Sequence, residues 1–411
     1  MTAKTQRVVV VGAGQAGIAL CAKLRALGHE GTITLIGSET APPYQRPPLS
    51  KAYALGEMDE ERLYLRPPAF YETNAIELKT GTTVTSIDRE LGNVQTDNGQ
   101  KIPYDVLVIA TGAPPRKLPD AIGGNLDGVI EIRTLADADR FAANLSSGKN
   151  VLVVGGGYIG LEAAAVAAKK GLNVTLIEAA PRILGRVASA QTADYFRALH
   201  EGNGVRILEN TGLEHLMGDN GKVTAAVLAS GETFGVDFVV AGIGVVPEVT
   251  IAEAAGLEID NGIAVDQFSR TSDPAIYAIG DCASFPYRGS RIRLESVGNA
   301  IAQAEAAAAA IHGSGVPYVP KPWFWSDQYD VKLQIAGLNT GHDKVVERRT
   351  DDKSRSFWYY RGDELLAIDA MNAPRDYMMA KRWIEAGQSP APEDVSNPAC
   401  ELKSMNVSAN A

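Results

Sequence analysis

The chain has 411 residues, a net charge of −10 at pH 7, and 45% hydrophobic and 21% charged residues. This length exceeds one ordinary core and predicts two or three domains, while the acidic balance argues against nucleic acid as the main ligand. No apolar run approaches the roughly 20 residues of a membrane span, and no signal-peptide pattern precedes the first strand, so we expect a cytoplasmic protein without a membrane partner.

The first predicted strand leads into a glycine motif, VVVVGAGQAG, at Val8 to Gly17. A helix-forming segment follows from Gln15 to Leu27, so the motif lies in the strand-turn-helix context that a dinucleotide-binding signature requires. Gly12 permits the tight turn, Gly14 lets the backbone approach a pyrophosphate, and Gly17 lets the helix pack on the strand. The pattern predicts one bound dinucleotide.

A proline-rich loop, APPYQRPPLSK, comes next, and its prolines forbid a regular helix. Strands are predicted around Thr82 to Asp88, Asn93 to Thr96 and Val106 to Ala110. The last of these runs into ATG at Ala110 to Gly112, where a strand delivers a glycine. This arrangement suits a close approach of the backbone to a ligand.

A second copy of the motif, VLVVGGGYIG, occupies Val151 to Gly160 and opens a predicted helix from Tyr158 to Lys170. Its three glycines have the same separate roles as in the first copy, and they are Gly155, Gly157 and Gly160. Strands at Asn150 to Val154 and Asp237 to Ile243 complete this unit, which AGIGVVP closes. Two copies in matching context predict two dinucleotides.

An acidic residue about 20 positions after each motif is expected to accept a hydrogen bond from a ribose hydroxyl. Glu39 and Glu178 occupy these positions. Glu178 ends the segment NVTLIE and fits the position well, whereas Glu39 follows Ser38, at which the strand could equally end. A plain surface carboxylate is therefore the alternative reading of Glu39.

After the second unit, the strand AIYAIGD at Ala275 to Asp281 resumes the first domain, so one domain is inserted into the other. A helix is predicted at Ile301 to Gly313. Alternating strands follow in VKLQIAGL, KVVERR, SRSFWYYR and ELLAIDAM, and the tail from about Gln388 is ordered only by docking, if at all. The predicted fold class is α/β, with two Rossmann-like domains and a C-terminal α+β domain.

Several motifs together resemble the flavoprotein ferredoxin reductases of bacterial monooxygenase and dioxygenase systems. They are RPPLSK, ATG, VVGGGYIGLE, AGIGVVP, TSDPAIYAIGDCA, ESVGNA and PWFWSDQY, and the match runs to about Arg382. The resemblance implies a glutathione-reductase-like fold with an FAD-binding domain at 1–115 and 245–322, an NAD-binding domain at 116–244, and a C-terminal antiparallel-sheet domain at 323–411.

The resemblance also implies the residues that contact FAD. They are Gly12, Ala13, Gly14, Ala16, Lys51, Val84, Arg133, Asp281 and Val297. The other candidates for the two dinucleotides lie in or beside the same motifs, and they are Glu39, Arg46, Ala110, Thr111, Gly112, Gly280, Gly155, Gly157, Tyr158, Ile159, Gly160, Glu178, Gly242, Ile243 and Gly244. Glu178 favours NADH, because a carboxylate repels a 2′-phosphate, although Arg182 and Arg186 nearby leave room for NADPH.

The implied activity passes electrons from NADH through FAD, one at a time, to a [2Fe-2S] ferredoxin that feeds a P450 or a dioxygenase. Related disulfide reductases use cysteines beside the flavin, but RPPLSK has none. The three cysteines, Cys21, Cys282 and Cys400, form no close pair, so neither a disulfide framework nor a metal site is expected. Cys21 and Cys282 are expected in the core. A rubredoxin reductase, an NADH oxidase and a flavin-bound signalling protein stay as alternatives.

We expect Lys51, Glu162 and Trp325 to be the catalytic residues. Lys51 and Glu162 are expected to form an ion pair near flavin N5, or else a structural salt bridge, and the family places Trp325 near the flavin. The aromatic strand FWYY is either core or a surface near the flavin edge. A transient, electrostatic ferredoxin contact requires a basic face, and the candidates are Arg288, Arg291, Arg293, Lys381 and Arg382. A monomer or weak homodimer is expected.

Overall fold

The computed structural model describes residues 3–351 and 353–410. In these ranges the helices are α1 Gln15–Ala26, α2 Pro68–Thr73, α3 Leu135–Asn144, α4 Tyr158–Lys169, α5 Ala190–Gly202, α6 Thr250–Ala254, α7 Val297–Ile311, α8 Pro374–Ala386 and α9 Pro392–Ser396. None of these helices, over the residues described, is both long and apolar enough to cross a membrane.

The strands of the same ranges follow in chain order. They are β1 Val8–Val11, β2 Ile33–Ile36, β3 Ile76–Lys79, β4 Val84–Asp88, β5 Asn93–Thr96, β6 Lys101–Pro103, β7 Val106–Ile109, β8 Val129–Ile130, β9 Asn150–Val154, β10 Asn173–Ile177, β11 Arg206–Leu208, β12 Leu213–Asp219, β13 Lys222–Leu228, β14 Thr233–Gly235, β15 Phe238–Ala241, β16 Ile263–Ala264, β17 Ile276–Ala278, β18 Ala283–Tyr287, β19 Ser290–Ile292, β20 Trp323–Gln328, β21 Val331–Gly337, β22 Lys344–Arg349, β23 Arg355–Arg361, β24 Glu364–Met371, β25 Gln388–Pro390 and β26 Val407–Ala409.

The chain divides into two compact units, each made of three segments. The first unit comprises Met1–Arg46, Glu60–Pro114 and Val245–Pro322, and the second comprises Pro47–Asp59, Pro115–Gly244 and Trp323–Ala411. The proline-rich segment from Pro47 thus belongs to the second unit, because Ser50 donates to Glu162 and Tyr53 donates to Asp139 there. The predicted three-domain division stays a prediction.

A parallel sheet of order β17-β7-β1-β2-β3 forms the centre of the first unit. Its central strand β1 is apolar throughout because both of its faces are buried. Val8 and Val10 face the core that contains α1 and the alanines of α7, and Val9 and Val11 face a second core on the other side. The small antiparallel sheets β4-β5-β6 and β18-β19 belong to the same unit.

The second unit repeats this plan with the parallel sheet β11-β10-β9-β15-β8. Val151 and Val153 of β9 pack into one core, and Leu152 and Val154 pack into another. An antiparallel sheet of order β20-β21-β24-β23-β22 carries α8, whose Trp383 lies 6.1 Å from Trp358 between ring centroids. The predicted α/β class with a C-terminal antiparallel sheet is confirmed.

Three parts of the second unit differ from the sequence-based expectation. The hairpins β12 to β14 and the helix α8 were not predicted, and WFWSDQ forms the strand β20. The tail is docked, because Arg348 donates to the main-chain carbonyls of Val395, Asn397, Pro398 and Cys400, and β26 pairs with β25. In the first unit, α7 begins at Val297 because Ser296 caps it, four residues before the predicted start.

Candidate functional site

The first glycine of each motif makes the same tight turn. Gly12 has a φ of +114°, and a Cβ placed on it would lie 2.1 Å from the carbonyl oxygen of Ala110. Gly155 has a φ of +104°, and its Cβ would lie 2.5 Å from the carbonyl oxygen of Gly242. Each turn therefore packs against the loop after a neighbouring strand, ATG in the first unit and AGIG in the second, and a side chain is excluded at both glycines.

The third glycine of each motif lets a helix begin directly on this turn. A Cβ on Gly17 would lie 2.1 Å from the carbonyl oxygen of Gly12, and a Cβ on Gly160 would lie 2.1 Å from that of Gly155. No real side chain tolerates such a distance. Both glycines therefore have the packing role that the sequence predicts for them.

The middle glycines, by contrast, face open space. A Cβ on Gly14 would meet no atom within 4 Å, and a Cβ on Gly157 would meet one only at 4.0 Å. Gly14 and Gly157 are the N-cap residues of α1 and α4 and provide no side-chain cap, whereas Thr134, Ser189 and Ser296 cap α3, α5 and α7 with their side chains. The N-termini of α1 and α4 therefore keep their N–H groups for a ligand, so the residues present fit the phosphates of a dinucleotide.

The two candidate ribose ligands are both held in place. The Glu39 carboxylate accepts from Arg46 at 2.6 Å and from the Tyr44 hydroxyl at 2.5 Å. The Glu178 carboxylate accepts from the backbone N–H of Gly156 and of Ala180, both at 2.7 Å. Glu178 is thus fixed beside the second glycine turn, and a carboxylate still offers lone pairs to a ribose hydroxyl.

The basic residues near Glu178 differ in their availability. Arg182 uses its guanidinium to bind the main-chain carbonyls of Gly185, Ala188 and Ser189. Arg186 is exposed, with its Nη2 3.4 Å from the position of a Cβ on Gly244. Of the two arginines that leave room for NADPH, Arg182 already uses its guanidinium in hydrogen bonds to its own loop.

The remaining candidate residues of the first unit lie at or beside the ends of its strands and helices. The Thr111 hydroxyl donates to the carbonyl of Glu248 at 2.7 Å, and Gly112 has a φ of +75°. Gly280 lies against the first helix, because its Cβ would be 3.1 Å from that of Ala16, and the half-buried Asp281 follows it in a short 3-10 turn. Val84 begins β4, Val297 begins α7, and Ala13 packs beside Gly37.

In the second unit, Arg133 precedes α3, and its backbone N–H donates to Asp137. Ile159 is an exposed residue in the first turn of α4, and Ile243 packs partly buried against the core of this unit. The Tyr158 ring lies 4.9 Å from that of Phe324 between centroids, tilted by 37°, and the buried Tyr158 hydroxyl has no hydrogen-bond partner among the described residues. Their contacts with a cofactor stay predictions.

Lys51, Glu162 and Trp325 lie together in the second unit. Lys51 Nζ lies 2.9 Å from Glu162 Oε1 and 5.8 Å from the centroid of the Trp325 ring. The Glu162 side chain is 2% exposed and that of Lys51 is 15% exposed. The structure thus brings together the three residues that the sequence proposed as catalytic, with a cation between a carboxylate and an aromatic face.

Glu162 has two more hydrogen-bond donors, which sequence reasoning missed. Ser50 Oγ donates to Glu162 Oε2 at 2.7 Å, and Ser326 Oγ donates to Oε1 at 2.6 Å. Burial raises the pKa of Glu162, and Lys51 and these hydroxyls oppose the rise. Both serines lie within quoted motifs, RPPLSK and PWFWSDQY, which was the available signal for them.

The three cysteines, all in the described ranges, are free thiols. Burial raises the pKa of Cys21 to about 12 and also raises that of Cys282, whose Sγ faces the carbonyls of Ile109 and Ile279. A thiol with a raised pKa is a poor nucleophile. The core positions predicted for Cys21 and Cys282 are confirmed.

The aromatic and basic candidates separate into buried and paired groups. The strand FWYY is core, since Phe357 to Tyr360 are all at most 2% exposed. Among the basic candidates, Arg291 pairs with Asp260, Arg293 with Glu295 and Lys381 with Glu385, while Arg288 stacks on Tyr287 and Arg382 is exposed on α8. Their part in docking stays a prediction.

Comparisons with known proteins agree with this geometry. The family model for pyridine nucleotide-disulphide oxidoreductases matches residues 6–304, and a reductase C-terminal model matches residues 323–406. Rhodocoxin reductase of Rhodococcus erythropolis is 42% identical over 96% of this chain and 93% of its own length. A rubredoxin-NAD(+) reductase of Pseudomonas putida is 40% identical over 90% and 96%, respectively.

Among solved structures, the covalent putidaredoxin reductase-putidaredoxin complex matches with a TM-score of 0.94 at 40% identity, over 97% of both chains. The resemblance to ferredoxin reductases that the motifs predicted is therefore confirmed across nearly the whole length. The chain belongs to the pyridine nucleotide-disulphide oxidoreductase family.

Proposed function

We propose that the chain is an NADH-dependent reductase that passes electrons through FAD to a [2Fe-2S] ferredoxin, which in turn feeds a P450 or a dioxygenase. Its relatives include rhodocoxin reductase and the putidaredoxin reductase whose structure holds its protein partner. The chain is an oxidoreductase that uses FAD and a nicotinamide dinucleotide. FAD, when bound, accepts a hydride and releases electrons singly, and the protein supplies position and charge.

The buried Lys51–Glu162 pair beside Trp325 is the observation that carries this proposal. A relay through thiols would place a reactive cysteine at this point of the chain, where the structure has a lysine and a carboxylate. We propose that Lys51 holds positive charge where negative charge develops on the flavin during reduction. Glu162, itself fixed by two serine hydroxyls, holds the lysine in that position.

The Glu178 carboxylate supports NADH over NADPH. Backbone N–H groups hold its two oxygens in place, so it cannot turn away from a 2′-phosphate without losing those hydrogen bonds. Measuring kcat/KM for both nucleotides tests this assignment. A preference for NADPH would contradict it.

Replacing Lys51 with Met tests the catalytic cluster. We expect single-turnover reduction of the flavin by NADH to slow by about 100- to 1000-fold, the usual loss when one preorganised donor is removed from an electrostatic site. Lys170→Met is the matched control, because Lys170 donates to the carbonyl of Leu55 in the same loop region but does not contact Glu162. An unchanged rate in Lys51→Met would remove Lys51 from the mechanism.

A rubredoxin reductase is the second candidate, since a relative of that name is 40% identical to this chain. The two activities differ in the preferred acceptor. Parallel assays with a [2Fe-2S] ferredoxin and a rubredoxin, at equal protein concentration, separate them, and faster reduction of rubredoxin would favour the second candidate.

The partner contact is proposed to be transient and electrostatic, with the protein a monomer or weak homodimer. Arg382 on α8 is exposed and contributes to a basic face there, together with the exposed Arg375. The rate with an acidic ferredoxin should therefore fall as salt is added. The three free thiols suit a reducing compartment, and we also propose that the protein is cytoplasmic.

A further inference from the structure

A continuous line of buried polar side chains leads away from Glu162 within the second unit. Ser326 Oγ donates to Glu162 Oε1, and Gln328 Nε2 lies 3.1 Å from Ser326 Oγ. His200 Nε2 then lies 2.8 Å from Gln328 Oε1, and the Tyr329 hydroxyl lies 3.3 Å from His200 Nδ1. We name the set of Ser326, Gln328, His200 and Tyr329 the His200 chain.

The chemistry of the His200 chain permits only one direction of hydrogen bonding. Ser326 has one hydroxyl hydrogen, and an ionised Glu162 can only accept it, so the Ser326 oxygen must accept from the amide NH₂ of Gln328. The Gln328 carbonyl oxygen then faces His200, which must present N–H at Nε2. This tautomer leaves Nδ1 as the acceptor for the Tyr329 hydroxyl, so every hydrogen in the chain points toward Glu162.

Burial makes this arrangement costly unless it is complete. Ser326, Gln328 and His200 are all 0% exposed, and burial lowers the pKa of His200, which favours its neutral form. A buried polar network with all its members paired is rigid, and its hydrogen bonds polarise one another. Among the described residues, the four members of the His200 chain have no buried side-chain nitrogen or oxygen without a hydrogen-bond partner.

Tyr329, the last member of the His200 chain, has an uncommon backbone conformation. Tyr329 has a φ of +57° in the turn between β20 and β21, a region that non-glycine residues seldom occupy. This turn sets the Tyr329 ring 5.1 Å from that of His200, edge to face. Backbone strain of this kind persists where the surrounding structure requires it.

We propose that Ser326, Gln328 and His200 are positioning residues for flavin reduction, which direct the Ser326 hydroxyl to Glu162 so that this carboxylate stays ionised and holds Lys51. The inference rests on the proposed function, because flavin reduction is the step that these residues assist. Its main measurement, the pKa of Glu162, needs neither NADH nor ferredoxin. Lys51 is the charged group that faces Glu162 among the described residues, and Ser50 faces its other oxygen. The titratable groups behind Ser326 are His200 and Tyr329.

The first measurement is the apparent pKa of Glu162 in the FAD-loaded protein without NADH. The carboxyl infrared band of Glu162 is assigned by its absence in Glu162→Gln and is followed as pH changes. Ser326→Ala, which removes a hydrogen bond to a charged group, should raise this pKa by about one to two units. Gln328→Met and His200→Leu should raise it by smaller amounts, in that order, because they act through Ser326.

The second measurement is the rate of flavin reduction by NADH. Gln328→Met and His200→Leu should lower it by about threefold to tenfold, as expected for the loss of one net hydrogen bond, while KM for NADH changes less than about twofold. His200→Gln should restore the rate, since its amide nitrogen can donate to Gln328 in place of Nε2.

Thr192→Val is the matched control. Thr192 lies on α5 with His200, is equally buried, and bonds to Asp369 instead of the His200 chain. It should lower the unfolding temperature without changing the pKa of Glu162. The inference is overturned if the pKa of Glu162 is the same in wild type, Gln328→Met and His200→Leu, or if Thr192→Val shifts it equally. If the pKa shifts as expected but NADH fails to reduce the flavin in wild type, the proposed function fails and the positioning role stands.

Discussion

Replacing Gly157 with Ala should weaken the binding of the nicotinamide dinucleotide while leaving the fold intact. Gly157 has φ −81° and ψ 178°, which alanine adopts freely, and its Cβ would find no atom closer than 4.0 Å. The substitution should therefore change the free energy of unfolding by no more than about 1 kcal/mol, in the stabilising direction. The added methyl group occupies the space through which a pyrophosphate approaches the start of α4.

The loss of binding can be sized from hydrogen bonds. Holding the pyrophosphate away from the backbone breaks at least one hydrogen bond to a charged group, worth about 1.5 to 3 kcal/mol. The Kd for NAD⁺ should therefore rise by about 10- to 100-fold. Isothermal titration calorimetry on the FAD-loaded protein measures this directly, and the FAD content should equal that of wild type because Gly14 is unchanged.

Gly155→Ala provides the contrast for this experiment. Its Cβ would lie 2.5 Å from the carbonyl oxygen of Gly242 at a φ of +104°, so the fold itself must shift. We expect a loss of about 1 to 3 kcal/mol or more from the backbone strain alone, seen as a lower unfolding temperature. If Gly157→Ala binds NAD⁺ as tightly as wild type, the assignment of the second motif to the pyrophosphate is refuted.

Four further outcomes follow from buried and partly buried groups. Burial raises the pKa of Asp369 from 3.8 to about 6, so the folded state binds a proton more readily and stability falls as pH rises through this window. Asp369→Asn should therefore raise the free energy of unfolding near neutral pH by at most about 3 kcal/mol, and thermal scans at lower pH should show the gain disappear. A maleimide should label Cys400 before the buried Cys21 and Cys282, and Cys282→Ala should leave NADH-dependent ferredoxin reduction unchanged. Arg348→Met should release the docked tail, which limited proteolysis detects, and cost about 3 kcal/mol in denaturant unfolding.

The sequence predicted the parts of the molecule whose chemistry is local. Each glycine motif carries its turn, its open approach and its packing contact within ten residues, so its roles follow from spacing alone. The strands β5, β9, β22 and β24 have the predicted bounds because their apolar and β-branched runs end at clear breaks. The ion pair between Lys51 and Glu162 was predicted from their places at the end of the proline-rich loop and just after the second glycine motif.

The support for that ion pair could not be predicted from spacing. Ser326 lies 164 residues from Glu162, and Gln328 lies 128 residues from His200, so only the packing of β20 against α4 and α5 brings them together. A histidine in a helix and a glutamine in an aromatic strand carry no local signal for a shared hydrogen bond. The helix α8 was missed because its pattern follows a strand-rich region and begins at a proline, Pro374.

The rate at which the FAD-loaded protein reduces a [2Fe-2S] ferredoxin with NADH tests the proposed function, and it is measured beside the rates with oxygen and with disulfides. We expect rapid, salt-sensitive reduction of one ferredoxin, far faster than oxygen consumption, and no disulfide reduction. Slow turnover with every ferredoxin tested would contradict this expectation and favour a flavin-bound signalling protein, and disulfide reduction that depends on Cys282 would restore a thiol relay.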